Sequence, residues 1–516
     1  MERRKFIKNT TLASLTIPFL FKNFSYSAVT EPLFSIKRGV EDKVLVLIRL
    51  NGGNDGLNSV VPMDFYSNLV KQRANIIIPE NKLIQVSPKN AFHPAMSGMS
   101  NLFQQGKLSV VQNVGYPDQN RSHFRSTDIW TSGSIDPATT TGWLGRKLDN
   151  ENPGFPDGYP NDVMKDPFAI SMGYEVSATC QGLLGNFSHT VNNPNDAVNV
   201  SISSAANDGT YYGGHMEFLS TMIAQTNKYG TRVLDAANKG NNLSTKYDPK
   251  NNLATQLKYV AQMISGGLQT SIYVLNLAGF DNHDSQVITS DVTTGTHANL
   301  LKTLSDAIEA FQDDLNLLGL EKRVAGMTFS EFGRQIASNA SFGTDHGDAA
   351  PLFLFGSCLE ASIYGDNPVI SDQVIDQAGV PMQVDFRDVY ASILRDWFEV
   401  PTTEIQTMFA HEVKYHKIIG GCTLQIDELS DNGLKSLMYP NPVNNSSTLR
   451  IATKHEFVKV AVCSMMGQEQ MVVFEGTMSA EVHQVPIDLS ELNAGNYLLR
   501  IQKDSGEEVI DFVKVK

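Results

Sequence analysis

The sequence predicts an α/β protein, a mostly parallel sheet flanked by helices, followed by a small C-terminal all-β sandwich. Three observations predict it. Short, β-branched apolar runs without strict alternation recur through the first 355 residues, as in strands covered on both faces. Apolar stripes at three- and four-residue spacing lie among them, which is helical periodicity. Beyond Asp431 the pattern changes to alternating runs separated by turn residues at roughly 8–12-residue spacing.

The first strand is Val44-Leu45-Val46-Leu47-Ile48, which stops at the turn-rich Asn51-Gly52-Gly53-Asn54-Asp55-Gly56. Leu108–Val114 leads to Gly115-Tyr116-Pro117, Ile272–Leu277 to Gly279-Phe280-Asp281, and Val324–Phe329 to Ser330-Glu331; Leu352–Phe355 is a further strand. After His297, Leu300, Leu301, Leu304, Ile308, Phe311, Leu315 and Leu318 form one helical stripe, and Phe386, Val389, Tyr390, Ile393, Leu394 and Trp397 form another. Both read as core faces that need no cofactor to explain them. Strands alternating with helices favour a parallel sheet. The Asn- and Gly-rich stretches Asn192–Asn199 and Lys239–Asn242 read as surface loops. The sandwich strands are Ser447–Ala452, Val458–Ser464, Gln470–Phe474, His483–Leu489, Tyr497–Gln502 and Val509–Val515.

Composition sets bounds on function. The chain has 516 residues, more than the ~100–200 of one typical domain. With 41% hydrophobic and 19% charged residues it is an ordinary globular sequence, neither disordered nor fibrous. Its net charge of −14 argues against nucleic acid as a partner, since a binder needs a basic face to neutralise phosphates. Four cysteines are too few for a disulfide scaffold, and no spacing predicts which of them pair.

The two ends carry export signals. Arg3, Arg4, Lys5, Lys8 and Lys22 face Glu2 alone within residues 1–28, and an uncharged run from Asn9 to Phe21 precedes Ser25, Ser27 and Ala28. A basic cluster, a short apolar run and a small-residue exit describe a secretory signal, too short for the ~20 apolar residues that span a bilayer. Arg3-Arg4-Lys5-Phe6-Ile7-Lys8 resembles the twin-arginine signal, with Glu2 where Ser or Thr is usual; the resemblance implies the twin-arginine translocase as a partner and entry to the periplasm as a folded protein. Tyr439-Pro440-Asn441-Pro442-Val443-Asn444-Asn445, Leu492-Asn493-Ala494-Gly495-Asn496-Tyr497-Leu498-Leu499-Arg500-Ile501 and the final Val513-Lys514-Val515-Lys516 resemble the C-terminal sorting domain of type IX secretion. That implies the type IX machinery as a partner and delivery to the outer-membrane surface or the medium. The expected division is a signal over 1–28, the α/β domain over 29–425 and the sorting domain over 426–516.

The placement of the acids carries the functional reading. Asp55, Asp281 and Glu331 each fall just past the C-terminal end of a predicted strand, the edge where parallel sheets gather ligand sites. Asp281-Asn282-His283, His297 and Gly343-Thr344-Asp345-His346-Gly347-Asp348 add imidazoles and further carboxylates. Carboxylate oxygens with imidazole nitrogens suit zinc or manganese, and magnesium or calcium where oxygens dominate. The candidate metal ligands are Asp55, Asp281, His283, His297, Glu331, Asp345 and His346.

Leu50-Asn51-Gly52-Gly53-Asn54-Asp55-Gly56-Leu57-Asn58-Ser59-Val60-Val61-Pro62, Gly115-Tyr116-Pro117 with Arg121-Ser122-His123-Phe124, Phe280-Asp281-Asn282-His283-Asp284-Ser285-Gln286, Ser330-Glu331-Phe332-Gly333-Arg334 and Gly343-Thr344-Asp345-His346-Gly347 resemble, in family order, a widespread exported family of unknown function. That resemblance implies the alkaline phosphatase/sulfatase-like fold, whose members hydrolyse phosphate or sulfate esters with one or two metals and a Ser, Thr or modified Cys nucleophile. It also implies that Asp345-His346 corresponds to the paired Asp-His ligand motif, Asp55 to the first-strand acid, and Asp281 with His283 to the remaining Asp–His set.

The sequence departs from that pattern in two places. The usual Asp-x-x-x-His is Asp281-x-His283 here, and none of Cys180, Cys358, Cys422 and Cys463 stands in a sulfatase-type Cys-x-Pro-Ser-Arg. Ser122 beside His123 is the candidate catalytic pair, its alternative an N-cap before a helix around Arg125–Trp130. His411-Glu412-Val413-Lys414-Tyr415-His416 has one residue too many for a zinc-protease helix, placing its histidines about 140° apart. No Gly-x-Ser-x-Gly, Gly-Lys-Ser/Thr or Gly-x-Gly-x-x-Gly fingerprint occurs. The expectation is an exported metal-dependent hydrolase of phosphate- or sulfate-type esters, with a small ester or a surface glycan as substrate; the alternative is a non-catalytic surface binding or structural protein on the same fold.

Overall fold

The structure, a computed structural model, describes residues 43–196, 210–360, 362–420, 436–439, 443–453, 456–465, 467–478, 482–504 and 506–515. Val44–Lys516 is the larger of the two units into which the chain divides. The expected signal over 1–28 and the expected domain boundary at 425/426 lie outside the described residues.

The larger unit is built on a nine-stranded sheet: β1 (Val44–Asn51), β2 (Leu108–Gly115), β3 (Ala169–Met172), β4 (Ser188–Val191), β5 (Ile272–Ala278), β6 (Val324–Phe329), β7 (Ala350–Phe355), β8 (Ile363–Tyr364) and β9 (Val384–Asp385). Their order is β8-β2-β7-β6-β1-β5-β3-β4, with β9 also on β2. β1 lies between β5 and β6, parallel to both, and β3 continues parallel to β5 and β4. β7, the expected strand Leu352–Phe355, runs antiparallel to both β6 and β2. No crossover helix separates Phe329 from Ala350, so the chain re-enters the sheet at the edge it left.

Alternation along β1 sorts two helical layers. Leu45 and Leu47 join one core cluster with Ile129, Trp130, Trp143, Phe386 and Tyr390, from the helices α1 (His123–Ser132), α2 (Trp143–Glu151) and, at the end of the domain, α5 (Phe386–Asp396). Val44, Val46 and Ile48 join the other with Leu257, Val260, Leu304, Ile308 and Phe311, from α3 (Asn252–Ser265) and α4 (Thr296–Leu317). The expected stripes are core faces, although Leu300 and Leu318 are only partly buried at the margin. Among the described residues no helix is long and apolar enough to cross a membrane.

The C-terminal strands form two facing antiparallel sheets. One holds Leu437–Tyr439, Ser446–Ala452 and Val482–Asp488; the other holds Glu456–Ser464, Glu469–Met478, Gly495–Lys503 and Gly506–Lys514. Leu449, Ile451 and Ile487 from the first meet Val458, Val460, Val462, Leu499 and Ile501 from the second in one core, which makes the pair a sandwich. Cys180 and Cys463 are buried free thiols, and Cys358 is disulfide-bonded.

Candidate metal centre

Strand direction brings the site together. β1, β5 and β6 are parallel, and β7 is antiparallel to both β6 and β2. The C-terminal ends of β1, β2, β5 and β6 therefore share an edge with the start of β7. The loops after Asn51, Gly115, Ala278 and Phe329 and the loop before Ala350 meet there. Gly52 shows how closely they approach. Its φ is +123°, and a Cβ would stand 2.3 Å from the Asp281 backbone nitrogen. Its own N–H donates to Glu331 Oε1 at 2.8 Å. One glycine thus ties the β1 loop to the loops after β5 and β6.

Three imidazoles converge on Asp281 at this edge. The Nε2 atoms of His283 and His346 lie 3.1 and 3.2 Å from Asp281 Oδ1, and 2.9 Å from each other. His123 Nε2 lies 3.4 Å from Asp281 Oδ2. The remaining nitrogen of each ring faces an oxygen acceptor: His123 Nδ1 meets Glu331 Oε1 at 3.0 Å, His283 Nδ1 meets Asp345 Oδ1 at 2.7 Å, and His346 Nδ1 meets the Arg121 carbonyl at 2.8 Å. Those acceptors place an N–H on each Nδ1, and in the neutral ring that leaves the Nε2 lone pair directed at the cluster. Donor atoms from His123, Asp281 and His346 all lie within 4.8 Å of one another, close enough to share one ion.

Buried groups hold this arrangement. Arg334 donates to Asp281 Oδ1 at 2.8 Å, to the carbonyls of Gly53, Thr344 and Phe280 at 2.8–2.9 Å, and to that of Gly52. Burial raises the Asp281 carboxyl pKa, but the hydrogen bond and charge of Arg334, with the His346 and His283 rings beside it, outweigh it and bring it down to about 2. Burial likewise works upward on Asp345, and hydrogen bonds with His283 and Asn339 leave it lowered. Burial pushes the His346 pKa down, and the charges of Arg334 and His123 add to that. The buried Phe332 ring packs 4.5 Å from His346 and 5.0 Å from His123, fixing both imidazole planes.

Of the residues expected to bind metal, Asp281, His283 and His346 meet in the cluster, while Asp345 and Glu331 stand behind its histidines. His123, expected in a catalytic pair, contributes a ring nitrogen to the cluster. Ser122 occupies the N-cap position of α1, but its exposed side chain makes no cap hydrogen bond.

Asp55, expected as a ligand, lies apart from this cluster. Both its oxygens accept from Arg73 Nη1 at 2.9 Å, and Gln286 adds a 2.7 Å hydrogen bond, so the carboxylate is spent on a buried ion pair. Burial raises its pKa, and Arg73, His297 and Gln286 together leave it lowered. His297 also stands apart: Nε2 meets Asn54 Oδ1 at 3.0 Å, and burial takes its pKa down to about 4 against the pull of Asp55. His411 pairs with Asp388 of α5 at 3.0 Å, and the segment from His411 to His416 is not helical.

Arg73, Arg334 and Phe332 escaped sequence reasoning as parts of the site. Arg334 closes the motif Ser330-Glu331-Phe332-Gly333-Arg334, but only the folded loops show that its guanidinium joins four carbonyls and a carboxylate. Arg73 carried no motif at all.

Residues 42–414 match the family model described as protein of unknown function DUF1501. The chain belongs to that family. Residues 437–515 match the secretion system C-terminal sorting domain, which implies interaction with the type IX secretion machinery, export, and a cell-surface or secreted location. No curated protein matches the chain. Similar solved structures include a protein in the alkaline phosphatase superfamily from Vibrio parahaemolyticus, 10% identical, covering 86% of this chain and 78% of that one with a TM-score of 0.34. A sulfatase from Pseudoalteromonas sp. is 9% identical, with 87% and 84% covered and a TM-score of 0.31. A lipoteichoic acid synthase from Listeria monocytogenes is 10% identical, with 70% and 74% covered and a TM-score of 0.32. At these scores the likenesses carry no argument about activity.

Proposed function

We propose that this DUF1501 protein is an exported metal-dependent hydrolase of phosphate- or sulfate-type esters, working at the cell surface or after release. One observation carries the reading: three imidazole Nε2 atoms converge on one carboxylate while all three Nδ1 atoms are committed to oxygen acceptors. This nitrogen-rich donor set fits zinc or manganese better than magnesium or calcium, which favour oxygen. His123, His283, His346 and Asp281 would hold the ion. When bound, it would act as a Lewis acid on an ester oxygen and lower the pKa of a coordinated water.

The chain's own groups have separable tasks. Glu331, Asp345 and the Arg121 carbonyl orient the three rings. Arg334 keeps Asp281 ionised and fixes its rotamer. Ser122, whose hydroxyl is exposed and uncapped, and water are the candidate nucleophiles. The protein enters through the twin-arginine translocase, and its chain divides at 28/29 and 425/426.

Elemental analysis of purified protein, followed by an ester screen of wild type and His346→Ala, tests this function. We expect about one ion per chain in wild type, and loss of ion and turnover together in the variant. A metal-free wild type whose background hydrolysis matches the variant would leave a non-catalytic surface protein as the answer.

A further inference from the structure

The cluster has a cationic neighbour that the proposed chemistry does not use. Arg49 interrupts an otherwise apolar stretch of β1, and its register partners are Asn276 on β5 and Phe329 on β6. Residues paired across parallel strands point to the same face. Upstream on that face, Ile272 and Val274 are buried against the helices, whereas Asn276 and Ala278 are exposed. The helical layer therefore stops short of the strand ends, and Arg49 opens into the gap with a fifth of its side chain exposed.

Its hydrogen bonding differs from that of the ion-paired arginines Arg73, Arg334 and Arg387. Nη2 donates to Thr127 Oγ1 at 2.7 Å and to Asn51 Oδ1 at 3.3 Å, both neutral oxygens. Its ion-pair contact is Glu331 Oε2 at 3.9 Å, outside hydrogen-bonding reach. Nε of Arg49 and Oε2 of Glu331 are both buried without a hydrogen-bond partner. Arg73, Arg334 and Arg387, by contrast, each have a carboxylate oxygen at 2.6–2.9 Å. Thr127 lies one helical turn after His123, so Arg49 faces the gap beside the metal cluster. With Nε buried and Nη2 donating to two neutral oxygens, the Nη1 hydrogens are the donors left for a planar or tetrahedral oxyanion.

We infer that Arg49 and Asn276 form an oxyanion subsite for a sulfate, phosphate or carboxylate group of the molecule on which the metal centre acts. Its role in catalysis rests on the hydrolase reading, while its capacity to bind an anion does not. Glu331 is the acidic group facing it, with Oε1 already committed to His123 and the Gly52 N–H. The subsite thus selects substrates bearing an anionic group besides the ester oxygens at the ion.

The test is calorimetric titration of inorganic sulfate and inorganic phosphate into the chelator-treated full chain at low ionic strength. Wild type is expected to bind at least one of them, and Arg49→Met to weaken it at least tenfold, about 1.4 kcal/mol. Asn276→Asp guards against a folding artefact: it places a carboxylate at an exposed position beside the guanidinium and is expected to remove binding with the melting temperature unchanged. Wild type that binds neither anion, or variants that bind like wild type, would overturn the subsite. A metal-free protein with Arg49-dependent anion binding would keep the subsite and sink the hydrolase; metal-dependent turnover with Arg49-independent binding would do the reverse.

Discussion

Replacing Asp55 with Asn distinguishes its two candidate roles. By sequence Asp55 is a strand-end metal ligand; by structure it is the counter-ion of Arg73, whose side chain is fully buried. Arg73 also donates to Asn58 Oδ1 at 3.3 Å and to the carbonyls of Ile336 and Gln335 at 2.7 Å. Those bonds survive Asp55→Asn, but the guanidinium loses the charge that offsets its desolvation. Removing one partner of a buried pair costs roughly 3–5 kcal/mol, a large share of the about 5–15 kcal/mol of a folded protein. With a urea slope of about 3 kcal/mol/M, the unfolding midpoint should fall by about 1–2 M. Metal content, measured on the same preparation under native conditions, should stay at the wild-type value. The double variant Asp55→Asn/Arg73→Met should recover part of the loss, because no buried charge is left alone. A variant that loses its ion while its unfolding midpoint holds would show that Asp55 is a ligand and refute the ion-pair argument.

Three further outcomes follow. Asp345→Asn keeps the shape behind His283 but weakens the acceptor that fixes its tautomer, so metal affinity should fall 10- to 100-fold, on the order of second-shell changes elsewhere; unchanged affinity in a competition titration with a chromogenic chelator would contradict this. Burial holds His93 at about 3 and His189 and His297 at about 4, so below the ordinary value of 6.5 the unfolded chain takes up protons that the folded one refuses. Their contribution is intact above about pH 6.5 and is lost as pH falls towards 4, at up to about 4 kcal/mol per pH unit for the three together; equal urea midpoints at pH 7 and 5.5 would refute it. Gly52→Ala combines a left-handed φ with a Cβ 2.3 Å from a backbone nitrogen, so it should cost at least about 1–3 kcal/mol and release metal as the loops part; native stability with full metal content would show that the loops do not need this contact.

The legible parts of the fold were those governed by local period. Val324–Phe329 appears with its expected ends because an apolar run between a helix and a Ser-Glu turn has little alternative. The stripe after His297 is a helix from Thr296 to Leu317 for the same reason. The direction of β7 was not legible, because no residue of Leu352–Phe355 records whether its neighbours run parallel. The site followed the same rule. Asp281, His283 and His346 can be singled out in the sequence because they stand just after a strand or in a compact motif, and the structure brings them together. The fate of Asp55 was not legible, because its partner Arg73 sits in an unremarkable stretch and is brought in by tertiary packing alone. Nor did the sequence distinguish a ligand from the group that orients it: Asp345 and His346 are neighbours in the chain, yet the histidine turns Nε2 inward while the aspartate reaches the Nδ1 of His283.

The proposed ion answers a contact that hydrogen bonds and ion pairs alone leave unrelieved. With each Nδ1 proton directed to an oxygen, rings in their neutral form present Nε2 lone pairs to a carboxylate that has no proton to offer. His283 and His346 bring two such nitrogens to 2.9 Å, and both face Asp281 Oδ1 as well. Three acceptors at hydrogen-bonding distance repel unless something positive lies among them. Arg334 supplies one N–H to Asp281 Oδ1, but it reaches neither imidazole nitrogen by a hydrogen bond. A single proton could bridge only one pair of acceptors, leaving the third facing a lone pair. One divalent cation, as proposed, would relieve all three contacts together without disturbing any of the Nδ1 hydrogen bonds that build the geometry.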